Sequence, residues 1–147
     1  SLWDTIPKVY RRLNSIFVQN MGKGLPKNFN PIEFGSWMGG DRDGNPNVTA
    51  EVTKKVILLS RWEAASLYEK EFTKLIQSLS LFDCSKKIKK QVGKTWEPYR
   101  VFLRPIRNKL QQTQREIEDA LLEKREPKKK LLVNCFFTVL RPFFTIT

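Results

Sequence analysis

The chain has 147 residues, of which 40% are hydrophobic and 12% aromatic; these values are typical of one globular domain and argue against a disordered chain. It contains no histidine, which excludes Ser-His and Cys-His nucleophile pairs built from this chain alone. Its net charge of +12 favours anionic partners. No apolar run reaches the roughly 18 residues of a membrane span and no signal-peptide pattern occurs, so we expect no membrane association and a cytoplasmic location.

Three stretches have apolar residues at helical spacing and are predicted as helices, at residues 3–21, 49–80 and 98–125. Gly22 supplies a stop for the first helix, Thr49 an N-cap for the second and Pro98 a start for the third. Pro105 predicts a kink. The predicted fold is therefore mostly α-helical.

Between the first two helices, the short apolar run at residues 32–38 reads as one buried strand. A lone buried strand has no partner for its backbone donors and acceptors, so we expect the chain to be a piece of something larger. Residues 127–147 differ in character, because a charged break is followed by an aromatic and β-branched run without a helical stripe.

The segment between this strand and the second helix is the candidate functional motif, and it reads Gly39, Gly40, Asp41, Arg42, Asp43, Gly44, Asn45, Pro46, Asn47. Its glycines permit close backbone approach, the following helix N-terminus offers N–H groups to an anion, and Arg42 offers a planar two-pronged donor. The alternative is a plain turn in which Asp41 and Asp43 brace the arginine, which the spacing alone favours. Neither an EF-hand nor a Walker loop fits.

The remaining features have structural interpretations. We interpret Trp3, Trp62 and Trp96 as core residues, and the lysine runs at residues 86–90 and 128–130 as solvated surface. Cys84 and Cys135 stand far apart in no metal-ligand spacing, so they predict neither a zinc site nor a disulfide framework.

Residues 34–49 resemble the internal Trp-x-Gly-Gly-Asp-Arg-Asp-Gly-Asn-Pro block of phosphoenolpyruvate carboxylases. Residues 6–9, 58–62, 75–79 and 97–100 resemble the same family in the same order. The similarity covers residues 1–126, an internal segment, and leaves residues 127–147 as a divergent tail. The tail would fit a gene fragment, a frameshifted end or a pseudogene.

This resemblance implies a cytoplasmic homotetramer that joins bicarbonate to phosphoenolpyruvate, giving oxaloacetate and phosphate with Mg or Mn. It implies a helix-rich (β/α)8 barrel in which residues 32–38 form one barrel strand and the loop opens at the C-terminal face. Trp37 and Arg42 are then substrate-pocket candidates. The loop-structuring residues are Gly39, Gly40, Asp41, Asp43, Gly44 and Asn45.

The family's Thr-Ala-His-Pro-Thr, Gly-Tyr-Ser-Asp-Ser-x-Lys and Gly-Arg-Gly-Gly segments do not occur in this chain. No catalytic residue and no metal ligand can therefore be assigned here, and we expect the chain to be inactive alone. One alternative from another class is a basic helical module that binds nucleic acid or another polyanion, which only the charge supports. Another is an inactive chain that associates with full-length subunits.

Overall fold

Four α-helices make up most of the part of the chain that the computed structural model describes, which is residues 1–26, 29, 31–32, 39 and 45–127. They are α1 (Leu2–Met21), α2 (Ala50–Ser78), α3 (Lys86–Val92) and α4 (Pro98–Leu122). No strand occurs within those residues. The prediction of a mostly helical chain is confirmed, whereas the barrel of the parent stays a prediction.

The chain divides into two compact units, with α1 in the first and α2, α3 and α4 in the second. α1 ends as the sequence predicts, because Gly22 adopts the left-handed conformation at φ 68° and its N–H donates to the carbonyl of Val18 at 3.0 Å. The loop that follows is tied back to the helix, since the N–H of Leu25 donates to Asn14 Oδ1 at 2.8 Å.

In the second unit, α2 and α4 form an antiparallel hairpin. Near the end of α2, Arg100 Nε donates to the carbonyl of Ile76 at 2.7 Å. In the middle, Gln111 Nε2 donates to Glu69 Oε1 at 3.0 Å. The contacts at the start of α2 involve the far end of α4, so partner positions fall along α2 as they rise along α4. The pairing brings the first turn of α2 beside the last turn of α4.

The core of this hairpin is built by buried apolar residues of α2 and α4. Leu58 and Ile117 form its buried centre, with Ile117 fully buried, and Trp62 and Leu121 pack against them. Trp62 also donates from Nε1 to Glu118 Oε1 at 2.8 Å, which satisfies its polar edge. The interpretation of Trp62 as a core residue is therefore confirmed.

Beyond the end of α4 the chain makes a Schellman turn. Glu123 caps the helix, Lys124 adopts a left-handed φ of 50°, and the N–H of Arg125 donates to the carbonyl of Ala120 at 3.0 Å. Glycine is the usual residue at the left-handed position because an L side chain is strained there. Lys124 therefore carries a conformational cost.

Replacing Lys124 by glycine is expected to raise the free energy of unfolding by about 0.5 to 1 kcal/mol, because it removes that strain. Urea denaturation of the purified chain measures the change. Lys124→Ala is the matched control, since it removes the same charge but keeps the strained φ, and it should bring no gain. Equal stability of the two variants would contradict this explanation.

The helices α2 and α4 and the segment between α1 and α2 can be compared with the sequence predictions. The helices predicted at residues 49–80 and 98–125 are confirmed, with Thr49 as N-cap accepting a hydrogen bond from the N–H of Val52. α4 continues through Pro105, and the predicted kink stays a prediction. The predicted strand at residues 32–38 lies outside the described residues except for Ile32, which is in no regular element.

The interpretation of Trp96 as a core residue is wrong. Its side chain is 81% exposed and packs edge-to-face with Phe82, itself 71% exposed, at a ring-centroid distance of 6.1 Å. The two rings lie in the connection between α2 and α4, and no apolar layer from the described residues covers them. Trp3 is half-buried, as is the free thiol of Cys84.

The lysine run at residues 86–90 forms the short helix α3, which the sequence analysis did not assign. Its four lysines are exposed, which confirms the interpretation as surface. The second lysine run and Cys135 lie outside the described residues. Within the described range, none of the helices combines the length and the hydrophobicity needed to span a bilayer.

Candidate functional site

The structure describes the two ends of the candidate loop. Gly39 and Asn45 are among the described residues. The other predicted site residues lie outside them, namely Trp37, Gly40, Asp41, Arg42, Asp43 and Gly44. The pocket roles of Trp37 and Arg42 therefore stay predictions, and the geometry below concerns the anchoring of the loop.

Gly39 sits directly on the first turns of α2. Its φ of +69° is one that residues with a side chain rarely adopt, and a Cβ built on it would lie 2.9 Å from Val56 Cγ2 and 3.1 Å from Val56 Cβ. Its carbonyl accepts a hydrogen bond from Thr53 Oγ1 at 2.6 Å. Two independent constraints, the backbone conformation and the closeness of α2, thus require glycine at this position.

Asn45 opens a tight turn at the other end of the loop. Its Oδ1 accepts the N–H of Asn47 at 3.0 Å, and its carbonyl accepts the N–H of Val48 at 3.2 Å. Proline at position 46 suits the second place of such a turn because its φ is fixed. The turn delivers the chain to Thr49, whose Oγ1 accepts the N–H of Val52 at 3.3 Å and caps α2.

Both described ends of the loop therefore meet at the same place, the N-terminal end of α2. One end is fixed by a side-chain hydrogen bond and a close contact, and the other by a turn that leads into the helix cap. An asparagine turn and a threonine N-cap are readable from the sequence. The contact of Gly39 with Thr53 and Val56 is not, because it depends on how the backbone approaches the helix.

A groove of about 300 Å³ lies between the start of α2 and the end of α4. Its lining residues are Glu51, Val52, Lys54, Lys55, Leu58, Ala120, Leu121, Lys124 and Arg125. Sequence reasoning missed it because its two walls are far apart in the chain and meet only through the antiparallel pairing of the helices.

Carboxylates pair with two of the four cations that line this groove. Lys54 forms an ion pair with Glu126, and Arg125 pairs with Glu123 and, at 2.9 Å, with Glu116. Hydrogen bonds to Glu123 and Glu116 raise the pKa of Arg125. The pair of Lys54 with Glu126 links α2 to the chain beyond α4, and the pairs of Arg125 hold the Schellman turn against α4. The groove is thus a partly apolar cleft in which two of the four lining cations, Lys54 and Arg125, are paired with carboxylates.

No metal centre can be built from the described residues. Among them, no three side chains of histidine, cysteine, aspartate or glutamate come together in a way that could hold an ion. We therefore assign no ligands for the magnesium or manganese ion, which the resemblance implies, within the described residues.

Comparison with known proteins identifies the family. The family model described as phosphoenolpyruvate carboxylase matches residues 1–135. The phosphoenolpyruvate carboxylase of Hahella chejuensis is 43% identical over 134 residues, and that of an Enterobacter species is 46% identical over 136 residues. Each alignment covers 91% of this chain and 15% of the relative. The family resemblance found at residues 34–49 is thereby confirmed, and the chain belongs to the phosphoenolpyruvate carboxylase family while spanning about 15% of the length of the curated relatives it matches.

Proposed function

We propose that this chain supplies one segment of a phosphoenolpyruvate carboxylase, the enzyme that converts phosphoenolpyruvate and bicarbonate to oxaloacetate and phosphate. The observation that carries the proposal is the extent of the match, which covers 91% of this chain at 43–46% identity but only 15% of each relative. The unbroken Trp-x-Gly-Gly-Asp-Arg-Asp-Gly-Asn-Pro block supports it further.

In the parent enzyme, the loop at residues 39–47 forms part of the pocket wall at the C-terminal face of the barrel, where such enzymes place their sites. Trp37 shapes the pocket for the substrates. Arg42, held by Asp41 and Asp43, presents guanidinium donors towards the anionic reactants. The contact of Gly39 with α2 and the turn that Asn45 opens before that helix support this role, because a pocket wall has to be held in one conformation before substrate arrives.

The groups that carry the chemical steps come from other segments of the parent. This chain has no histidine, and it lacks the Thr-Ala-His-Pro-Thr, Gly-Tyr-Ser-Asp-Ser-x-Lys and Gly-Arg-Gly-Gly segments. The parent uses magnesium or manganese, which polarises a reacting oxygen when bound. We propose that the parent is a cytoplasmic homotetramer, as the family resemblance implies.

The purified 147-residue chain is expected to form no oxaloacetate. Catalysis of this kind needs groups from several barrel strands held in one constellation, and the sequence of this chain predicts one such strand. The measurement is a coupled oxaloacetate assay on chain prepared from a host without its own carboxylase gene. Activity above the background of the empty-vector preparation would overturn the proposal that the segment is incomplete.

The positive experiment is a hybrid carboxylase, in which residues 1–126 of this chain replace the matching segment of the Hahella chejuensis enzyme. We expect a folded hybrid that makes oxaloacetate, because the segment would dock on the rest of the barrel as its counterpart does. The control is the same enzyme with that segment deleted, which should be inactive. A hybrid that assembles like the parent yet has no activity would refute the assignment of this segment to a working carboxylase.

A further inference from the structure

The hydroxyl of Thr53 contacts two carbonyl groups, one in the loop and one in its own helix. Thr53 Oγ1 lies 2.6 Å from the carbonyl oxygen of Gly39 and 3.2 Å from the carbonyl oxygen of Thr49, one turn back in α2. A hydroxyl has one proton to donate, and the shorter contact is the stronger hydrogen bond. The stronger hydrogen bond of the Thr53 hydroxyl is therefore the one to the carbonyl of Gly39 in the loop.

Two other helix hydroxyls in this unit, those of Ser60 and Thr113, donate to a carbonyl of their own helix. Ser60 Oγ donates to the carbonyl of Val56 at 2.9 Å, and Thr113 Oγ1 donates to the carbonyl of Lys109 at 2.9 Å. Both are the ordinary bond of a helical serine or threonine to the residue four positions back. Thr53 makes that bond only at longer range, and its closest partner comes from 14 positions earlier in the chain.

Val56 completes the contact from the next turn of α2. Its Cγ2 would lie 2.9 Å from a Cβ at position 39, closer than such atoms approach in proteins. Any side chain at position 39 would push the backbone off the helix and stretch the hydrogen bond from Thr53. The valine thus restricts the position to glycine, while the threonine holds that glycine in place.

We propose that Thr53 and Val56 form a seat for Gly39 and that Thr53 is a positioning residue for the loop carrying Arg42 in the parent carboxylase. The Gly39 seat is defined as Gly39, Thr53 and Val56. Thr53 contacts no reactant. Thr53 holds the backbone at Gly39, three residues before Arg42. The turn at Asn45 holds the backbone three residues after Arg42. This inference rests on the proposed function, and its two tests below separate the seat from that function.

The first test asks whether the hydrogen bond exists, and it uses the 147-residue chain. Gly39–Gly40 is the one Gly-Gly pair in the sequence. Labelling glycine alone with ¹³C at the carbonyl and ¹⁵N at the amide therefore gives a single carbonyl-to-amide correlation in an NMR spectrum, which reports the carbonyl of Gly39. A carbonyl carbon moves upfield when it loses a hydrogen-bond donor.

We expect Thr53→Val to move this resonance upfield and Thr53→Ser to leave it near its original position, because serine keeps the hydroxyl. Thr113→Val is the matched control, since it removes the hydroxyl of a threonine in α4 and should not move the signal. A Gly39 carbonyl resonance that is the same in the Thr53→Val chain would overturn the seat, whatever the activity of the parent.

The second test asks whether the seat positions the loop, and it uses the hybrid carboxylase. Thr53→Val should lower kcat/KM for phosphoenolpyruvate about tenfold, the effect of losing one well-aligned hydrogen bond. Thr53→Ser should restore most of it, and Thr113→Val should leave it unchanged. A structural role alone would lower Tm in Thr53→Val but leave kcat/KM of the folded hybrid unchanged.

The results of the two tests distinguish a failure of the proposed function from a failure of the Gly39 seat. An inactive unsubstituted hybrid that assembles normally contradicts the proposed function, and the NMR test then decides on the seat alone. An active hybrid whose Thr53→Val variant keeps its full kcat/KM overturns the positioning role. Loss in Thr53→Val with rescue in Thr53→Ser supports it.

Discussion

Replacing Arg42 by lysine in a full-length carboxylase is expected to lower turnover roughly a hundredfold or more, with little change in Tm. Lysine keeps the positive charge, but one ammonium cannot reproduce the planar fork that bonds to two carboxylates and still presents donors inward. Losing a contact that positions the transition state costs about 2 to 4 kcal/mol, whereas losing an exposed salt bridge costs about 0 to 1 kcal/mol of stability.

The experiment is made in the hybrid enzyme, where rate constants and Tm are compared with those of the unsubstituted form. Arg104→Lys is the matched control, because Arg104 is an exposed arginine on α4 and the same exchange there should be silent. Near-normal turnover of Arg42→Lys in a folded tetramer would mean that Asp41, Arg42 and Asp43 only brace the loop. The assignment of Arg42 to the substrate pocket would then be withdrawn.

Replacing Ile117 by alanine is expected to cost about 2 to 5 kcal/mol of unfolding free energy, the range for truncating a buried isoleucine. Ile117 is fully buried between α4 and α2, beside Leu58. Because small domains have only about 5 to 15 kcal/mol in total, this single change should unfold much of the chain or shift its urea midpoint strongly.

Leu122→Ala provides the control for this core substitution. It truncates another aliphatic residue of α4, but Leu122 is 82% exposed, so its loss should cost less than about 0.5 kcal/mol. A pair of variants with equal urea midpoints would show that the α2–α4 hairpin does not hold the chain together in solution.

The long helices were predictable because each combines a repeating apolar pattern with a clear end signal. Thr49 caps α2, Gly22 ends α1 and Pro98 starts α4, as their side-chain chemistry indicates. α3 was not predicted because a seven-residue, lysine-rich helix has no repeating apolar pattern. Its cap residues Ser85 and Gly93 were the signal that could have found it.

The exposure of Trp96 shows why residue type alone did not predict whether this side chain is buried. Large aromatic residues are mostly buried, but burial needs a second apolar surface, and the short connection around Trp96 provides only the edge of Phe82. The groove and the Gly39 seat were unpredictable for a different reason. Both arise from contacts between residues distant in sequence, and helical periodicity says which face is apolar but not which residue of the partner it meets.

The central claim is that this chain is one segment of a phosphoenolpyruvate carboxylase, and the measurement that tests it most directly is the nucleotide sequence on both sides of its coding region, read in all frames. We predict that the flanks encode the family's missing Thr-Ala-His-Pro-Thr, Gly-Tyr-Ser-Asp-Ser-x-Lys and Gly-Arg-Gly-Gly segments. Flanks that encode none of the three in any frame would contradict the claim.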